Sequence, residues 1–193
     1  MIFLIGVEHS LQLNWCQHNT DQVAKKAYLN NLEHYLPLLR EIFNKYSFVW
    51  AGEESGTGMT MKELLAENGV KSTFLQQIIN QSSTNYFQFD IPRTELSKYG
   101  VKNDFYNIRK NKDKIPNKVR EEWFVKIINM KIQKDEDGLI ILGADHMKFV
   151  RRQLTTAGYI INIDSLDVTK LEWYQDPGKV ALANFFKGVN IVK

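Results

Sequence analysis

The sequence predicts an α/β fold: a mostly parallel central sheet flanked by helices on both faces, in a single domain over residues 1–193. Short apolar runs end at glycine or polar residues, and segments with helical period separate them. The runs at residues 1–6 and 138–143 are too continuous to face water on either side. Strands buried on both faces and alternating with helices are typical of parallel sheets.

Length and composition fit one globular domain. The chain has 193 residues, of which 44% are hydrophobic and 24% charged, with one Cys and a formal net charge of +3. These values exclude disordered, collagen-like and disulfide-framework proteins. The start of the chain lacks the basic region and cleavage site of a signal peptide, and no apolar run is long enough to span a bilayer. We therefore expect a cytoplasmic protein without a membrane partner.

The elements are predicted from periodicity and from turn residues. Apolar positions at three-to-four spacing mark helices, and Pro37 should kink or split the longest of them. Alternating aromatic and polar residues at 85–90 indicate an edge strand, whereas residues 91–116 show no clear period. The predicted strands are residues 1–6, 47–52, 85–90, 138–143 and 159–163. The predicted helices are residues 20–46, 59–68, 72–80, 117–133, 144–157 and 176–186.

Ionisable residues follow three of the apolar strands. Two strands each end in a Gly-x-x-His turn, which places His9 and His146 in matched positions. Glu53 and Glu54 directly follow the apolar run at 47–52. Parallel strands deliver their carboxyl ends to one ligand-binding edge. A single histidine after a strand is usually a loop residue, but two in matched turns favour a shared site that includes one of the glutamates.

Two further residues open the predicted helix at 117–133. Arg120 and Glu121 lie near its N-terminus, where a cation and free backbone N–H groups can hold an anion or an oxyanion. In the alternative interpretation Arg120 ends a basic run that starts at Arg109, and Glu121 is an ordinary first-turn acid. Both interpretations stay open. Asp90, at the end of another predicted strand, is interpreted as a turn former.

Other chemical templates are weak or missing in this sequence. It has no serine-nucleophile elbow, phosphate-binding loop, His-Glu-x-x-His helix or Cys-x-x-Cys pair. Cys16 and His18 lie two residues apart, but without a third group a surface loop is the better interpretation. The basic run over residues 109–120 is either a solvated connection or a phosphate-binding patch.

Four motifs occur in a fixed order over residues 1–163. They are FLIGVEH with His9, WAGEES with Glu53 or Glu54, VREEWFVKII with Arg120 and Glu121, and IILGADHMKFVRRQLTTAGY with His146. Together they resemble the superfamily of the erythromycin esterases, the ChaN-like haem-binding lipoproteins and the TIKI/TraB-type proteins. The resemblance implies a hydrolase-like site, unrelated to serine-nucleophile hydrolases, in which paired His and Glu residues activate water or hold a divalent metal. The chain lacks the helical insertions that form substrate pockets in the esterases.

Two mechanisms are consistent with these residues. His9, His146 and either Glu53 or Glu54 could form a three-ligand site for Mn, Fe, Co or Zn, with metal-bound water as the nucleophile. Without a metal, the same groups could provide a general base. Arg120 would then stabilise an oxyanion, and Glu121 would orient a histidine or Arg120.

The expected function is hydrolysis of an ester, amide or lactone-like bond in a small molecule or peptide that is anionic or forms an oxyanion. One alternative is a non-catalytic protein that binds a metal, haem or an anionic ligand in the same cleft. Another is a nuclease or nucleic-acid-associated enzyme that uses the basic run at 109–120 together with Arg151 and Arg152. The small net charge makes nucleic acid the weaker expectation.

Overall fold

Five parallel strands form one sheet in the computed structural model, in the spatial order β3-β2-β4-β1-β5. The residues described are 1–13, 22–67, 69–102, 104, 108, 110–111, 114–177 and 179–180. The strands are β1 (Ile2–Val7), β2 (Trp50–Glu54), β3 (Asn85–Phe89), β4 (Gly138–Gly143) and β5 (Leu166–Asp167). The predicted parallel α/β fold is confirmed, and β3 lies at an edge of the sheet as its alternating sequence predicts.

Helices cover both faces of the sheet. They are α1 (His9–Leu13), α2 (Gln22–Lys45), α3 (Met61–Glu67), α4 (Phe74–Ile79), α5 (Asn117–Lys131) and α6 (Met147–Thr156). On one face, α2 and α4 pack on a buried cluster that includes Phe3 and Leu139. On the other face, α5 and α6 pack on a cluster that includes Leu4 and Ile140. Side chains alternate between the two faces of a strand, so both faces of β1 and β4 are buried.

The strand order explains how distant parts of the chain meet. β4 lies between β1 and β2, and it pairs with β1 from Gly138 to Gly143 and with β2 from Gly138 to Ile141. The carboxyl ends of β1, β4 and β2 are therefore neighbours. In open α/β sheets, ligands bind outside the carboxyl ends of strands at such crossover points.

Pro37 does not split α2, whose apolar face stays packed on the sheet through Tyr35 and Leu39. One predicted strand is wrong. Residues 159–163 form no strand. They make a single bridge to the sheet, from Ile161 to Ile2, and Ile163 is 90% exposed.

An asparagine turn ends that segment. The Asn162 side-chain oxygen accepts from the Asp164 N–H at 2.8 Å, and the Ser165 hydroxyl accepts from the Leu4 N–H at 2.9 Å. The turn leads the chain into β5, which pairs with β1 instead. The predicted helix at 176–186 lies mostly outside the described residues. No helix in the described part of the chain is long and apolar enough to cross a membrane.

Candidate functional site

The ends of β1 and β4 bring both predicted histidines to one carboxylate of β2. His9 begins α1 directly after β1, and His146 ends a 3-10 turn, Ala144–His146, directly after β4. His9 Nε2 lies 3.5 Å from Glu54 Oε1, and His146 Nε2 lies 3.8 Å from the same oxygen. The two matched turns therefore form one site.

Glu54 is the buried centre of this site. Its Oε1 accepts from Arg120 Nη2 at 2.5 Å, and its Oε2 accepts from the Gly143 backbone N–H at 2.8 Å. Burial by itself would raise the pKa of this carboxyl. The nearby charges of His9, Arg120 and His146 and the Gly143 N–H hold the pKa below its ordinary value instead.

Arg120 is held by a second carboxylate that the sequence interpretation assigned to a turn. Arg120 Nε donates to Asp90 Oδ1 at 3.2 Å, and Nη2 donates to Asp90 Oδ2 at 2.6 Å. Burial raises the pKa of Asp90 to about 6, against the opposing effect of the guanidinium. The Arg120 charge is thus taken up by Asp90 and Glu54, and it is not open to an oxyanion in the way that the sequence suggested.

Each histidine has its Nδ1 atom fixed by a neighbour. His146 Nδ1 lies 3.0 Å from Glu121 Oε1, so Glu121 orients a histidine, as one sequence interpretation proposed. His9 Nδ1 lies 2.7 Å from Gln12 Oε1. Because these oxygens accept, each ring donates its Nδ1–H to its neighbour, and Nε2 is the nitrogen that faces the Glu54 carboxylate.

The structure decides between the two glutamates of β2. Adjacent residues of a strand point to opposite faces, and Glu53 faces α2 and α4, away from the histidines. There its Oε2 accepts from the Thr73 hydroxyl at 2.5 Å and from the Tyr86 hydroxyl at 3.2 Å. Burial raises the pKa of Glu53 to about 7. Glu53 is therefore not part of the histidine site.

A cleft of about 570 Å³ opens over the two imidazoles. The His9 side chain is 49% exposed and the His146 side chain is 6% exposed. Gly143 lies between them. A Cβ at this position would be 3.2 Å from His9 Nε2 and 3.3 Å from Glu54 Oε2, so only a glycine leaves room for the close approach of these groups.

The donor set does not suit a divalent metal. The Arg120 guanidinium donates to the same Glu54 oxygen that both histidines face, and its Nη1 lies 3.5 Å from His146 Nε2. A metal ion at the imidazole nitrogens would sit beside this fixed positive charge. Within the described parts of the chain, no group of three or more His, Cys, Asp or Glu side chains is arranged to hold a metal ion.

Sequence reasoning did not assign Asp90 and Gln12 to the site. The only signal for Asp90 was its place at the end of a parallel strand, the feature that indicated the Glu53–Glu54 pair. Gln12 lies three residues after His9, one helical turn away. Cys16 and His18 lie outside the described residues, and so do Arg109 and Lys112 of the basic run. Lys110, Lys114 and Lys118 are exposed.

Comparison of the chain with family models, with curated proteins and with solved structures finds no match.

Proposed function

We propose that this chain is a hydrolase that cleaves an ester, amide or lactone-like bond, with His146 as the general base and without a metal. The observation that carries the proposal is the Glu121–His146 pair. A carboxylate on Nδ1 fixes the imidazole tautomer and stabilises the imidazolium that forms when Nε2 accepts a proton. His146 also lines the cleft, where the attacking water of this proposal would bind.

His9 is suited to the second proton transfer. It reaches the same cleft from the other strand end, its Nε2 faces Glu54 at 3.5 Å, and half of its side chain is open to solvent. In this proposal the His9 ring, in its imidazolium form beside the Glu54 carboxylate, donates its Nε2 proton to the leaving group. Base and acid thus come from the two matched turns.

Arg120 acts in this proposal as a positioning residue. Its guanidinium, clamped by Asp90, holds Glu54 Oε1 between the two rings. The Gly143 N–H holds the other oxygen of the same carboxylate. With both oxygens fixed, Glu54 keeps a defined place relative to the imidazoles, which is what proton transfer at fixed distances requires.

Hydrolysis of a panel of chromogenic esters, anilides and lactones, in buffer with a chelator, tests the proposal. His146→Ala should lower kcat/KM by about a hundredfold or more, the usual contribution of a general base. His9→Ala should lower kcat as well. His34→Ala is the matched control, because His34 stacks on Trp173 outside the cleft. Equal turnover of His146→Ala and His34→Ala would reject the mechanism, and activity that requires added metal would reject its metal-free form.

A further inference from the structure

We propose that Asn31, in α2, is a positioning residue that holds one wall of the cleft in place for substrate binding. The inference rests on the hydrolase function proposed above and deepens it, because it separates the part of the cleft that binds the substrate from the part that transfers protons. Two features carry it: the lining of the cleft comes from two parts of the chain, and one of these parts is held by side chains instead of by the sheet.

The cleft has two walls of different origin. The ends of β1 and β4 and the turns that follow them form one wall, which carries both histidines. The other lining residues come from the chain after β5, and we call them the second wall: Thr169, Tyr174, Asp176 and Lys179. In the proposed mechanism the proton-transfer groups lie in or beneath the first wall. The second wall therefore contributes binding.

The second wall runs through a stretch of chain without regular structure. Residues 171–176, all of which the structure describes, form neither helix nor strand. Within this stretch the Tyr174 N–H donates to the Leu171 carbonyl at 2.9 Å. Among the described residues, α2 supplies the hydrogen bonds that reach residues 173–175 from outside the stretch. A segment with few backbone hydrogen bonds opens at a lower free-energy cost than a sheet does.

Asn31 makes a two-bond attachment to this stretch. Its Nδ2 donates to the Gln175 carbonyl at 2.6 Å, and its Oδ1 accepts from the Gln175 N–H at 2.8 Å. One side-chain amide thus pairs with both backbone groups of one residue, as a neighbouring strand would. Asn31 is 1% exposed, so water competes little for these bonds. Gln175 lies between Tyr174 and Asp176, two residues of the second wall.

The other contacts of the stretch with α2 are less specific. Asn30 Nδ2 donates to the Trp173 carbonyl at 3.2 Å, and the exposed His34 ring stacks on Trp173. The rings of Trp173 and Tyr174 pack on the buried cluster that α2 covers. Apolar packing has no preferred direction, whereas a pair of hydrogen bonds fixes both the position and the orientation of a peptide group. Asn31 therefore sets where the second wall stands relative to the histidines.

Hydrogen exchange of the Gln175 amide, followed by NMR, tests the attachment without turnover. In the wild type this N–H should be protected, because its acceptor is a buried side-chain oxygen. Asn31→Ala removes both bonds and should make the amide exchange about tenfold or more faster. The amides of β1 and β4 report whether the variant is folded. Asn44→Ala, at an exposed position of the same helix, is the matched control and should leave the Gln175 rate unchanged.

Asn31→Asp separates hydrogen bonding from packing, because aspartate and asparagine have nearly the same size. A protonated carboxyl can donate to the Gln175 carbonyl and accept from the Gln175 N–H, whereas a carboxylate can only accept. Relative to the wild type at the same pH, we expect the Gln175 amide of Asn31→Asp to be protected in acid and to exchange about tenfold faster once the carboxyl has ionised. Asn31→Ala should exchange fast at both pH values.

The effect on catalysis should appear in KM. With a substrate from the panel above, Asn31→Ala should raise KM by about fivefold or more and change kcat by less than about twofold, because the proton-transfer groups keep their places. His146→Ala should instead lower kcat. Asn44→Ala should change neither constant.

Three results would overturn the inference: equal Gln175 exchange in Asn31→Ala and Asn44→Ala, pH-independent protection of Gln175 in Asn31→Asp, or an Asn31→Ala enzyme with a lower kcat and an unchanged KM. If Asn31→Ala does not fold, the Asn31→Asp comparison decides. If no substrate of the panel is cleaved, the proposed function is rejected, and the exchange rates still decide whether Asn31 holds the second wall.

Discussion

Replacing Glu53 with Gln should change how the stability of the protein depends on pH. Glu53 is 1% exposed, and burial raises the pKa of its carboxyl from 4.5 to about 7 in spite of its hydrogen bonds from Thr73 and Tyr86. In the unfolded chain the carboxyl titrates at its ordinary value. Between these two pKa values the folded protein binds more protons than the unfolded chain, so stability falls as pH rises through that window.

The size of the effect follows from the same two pKa values. The interval from 4.5 to about 7 corresponds to roughly 3 kcal/mol, at about 1.4 kcal/mol for each pH unit. Glutamine cannot ionise, so Glu53→Gln removes this pH dependence. The free energy of unfolding of the variant, minus that of the wild type, should rise by roughly 2 to 3 kcal/mol between about pH 5 and about pH 8. The constant cost of the new amide group cancels in this comparison.

Urea unfolding followed by tryptophan fluorescence at the two pH values measures this difference. Glu41→Gln, at an exposed position of α2, is the matched control, and its difference from the wild type should not depend on pH. The reasoning is refuted if the Glu53→Gln difference stays constant between the two pH values, falls with rising pH, or is reproduced by the control.

Three other substitutions test the polar networks on both faces of the sheet. Glu54→Gln leaves a buried guanidinium with one carboxylate fewer and should lower the free energy of unfolding by about 3 kcal/mol near neutral pH. In the wild type the pKa of Glu54 is lowered on folding, so the ionised carboxylate stabilises the protein above its ordinary pKa, and this stabilisation is lost as pH falls through the pKa of the folded state. In urea unfolding, the difference in the free energy of unfolding between wild type and Glu54→Gln should therefore be smaller in acid. Gly143→Ala places a Cβ 3.2 Å from His9 Nε2 and should cost about 1 to 3 kcal/mol, with a lower Tm and a displaced His9 NMR signal. Thr73→Ala removes the N-cap of α4, worth about 1 kcal/mol, and a hydroxyl that lowers the pKa of Glu53. The fall in stability should then extend to higher pH, whereas Thr73→Ser, which keeps both bonds, should behave as the wild type; an unshifted Thr73→Ala curve would contradict this account.

The elements that the sequence predicted well are those with a local physical signal. Continuous apolar runs identified β1 and β4, and alternation identified β3 as an edge strand, because burial on one or two faces dictates which residues a strand can use. The same signal misled at residues 159–163, where Ile160 and Ile163 are exposed and a turn at Asn162 leads the chain away. Apolar composition alone does not reveal a turn of that kind.

The candidate site could be predicted only in part from the sequence. The two Gly-x-x-His turns identified His9 and His146, because a parallel sheet brings strand ends to one edge whatever its strand order. The sequence could not decide which of Glu53 and Glu54 belongs to the site, because both residues lie within β2 and not after it. Charged residues in a buried strand are tolerated only where partners exist, and those partners, Arg120 and Thr73, lie elsewhere in the chain.

By itself the sequence determined the fold class and the edge of the sheet where a site should lie, because burial and strand direction are local properties of the chain. Only the tertiary structure decided which residues share that site. It placed β4 between β1 and β2, and it paired Arg120 with Asp90. The Glu54 side chain faces the histidines, and the Glu53 side chain faces away from them. The physical reason is that hydrogen bonds and ion pairs act over a few ångströms, and residues far apart along the chain reach that range only when the sheet has assembled.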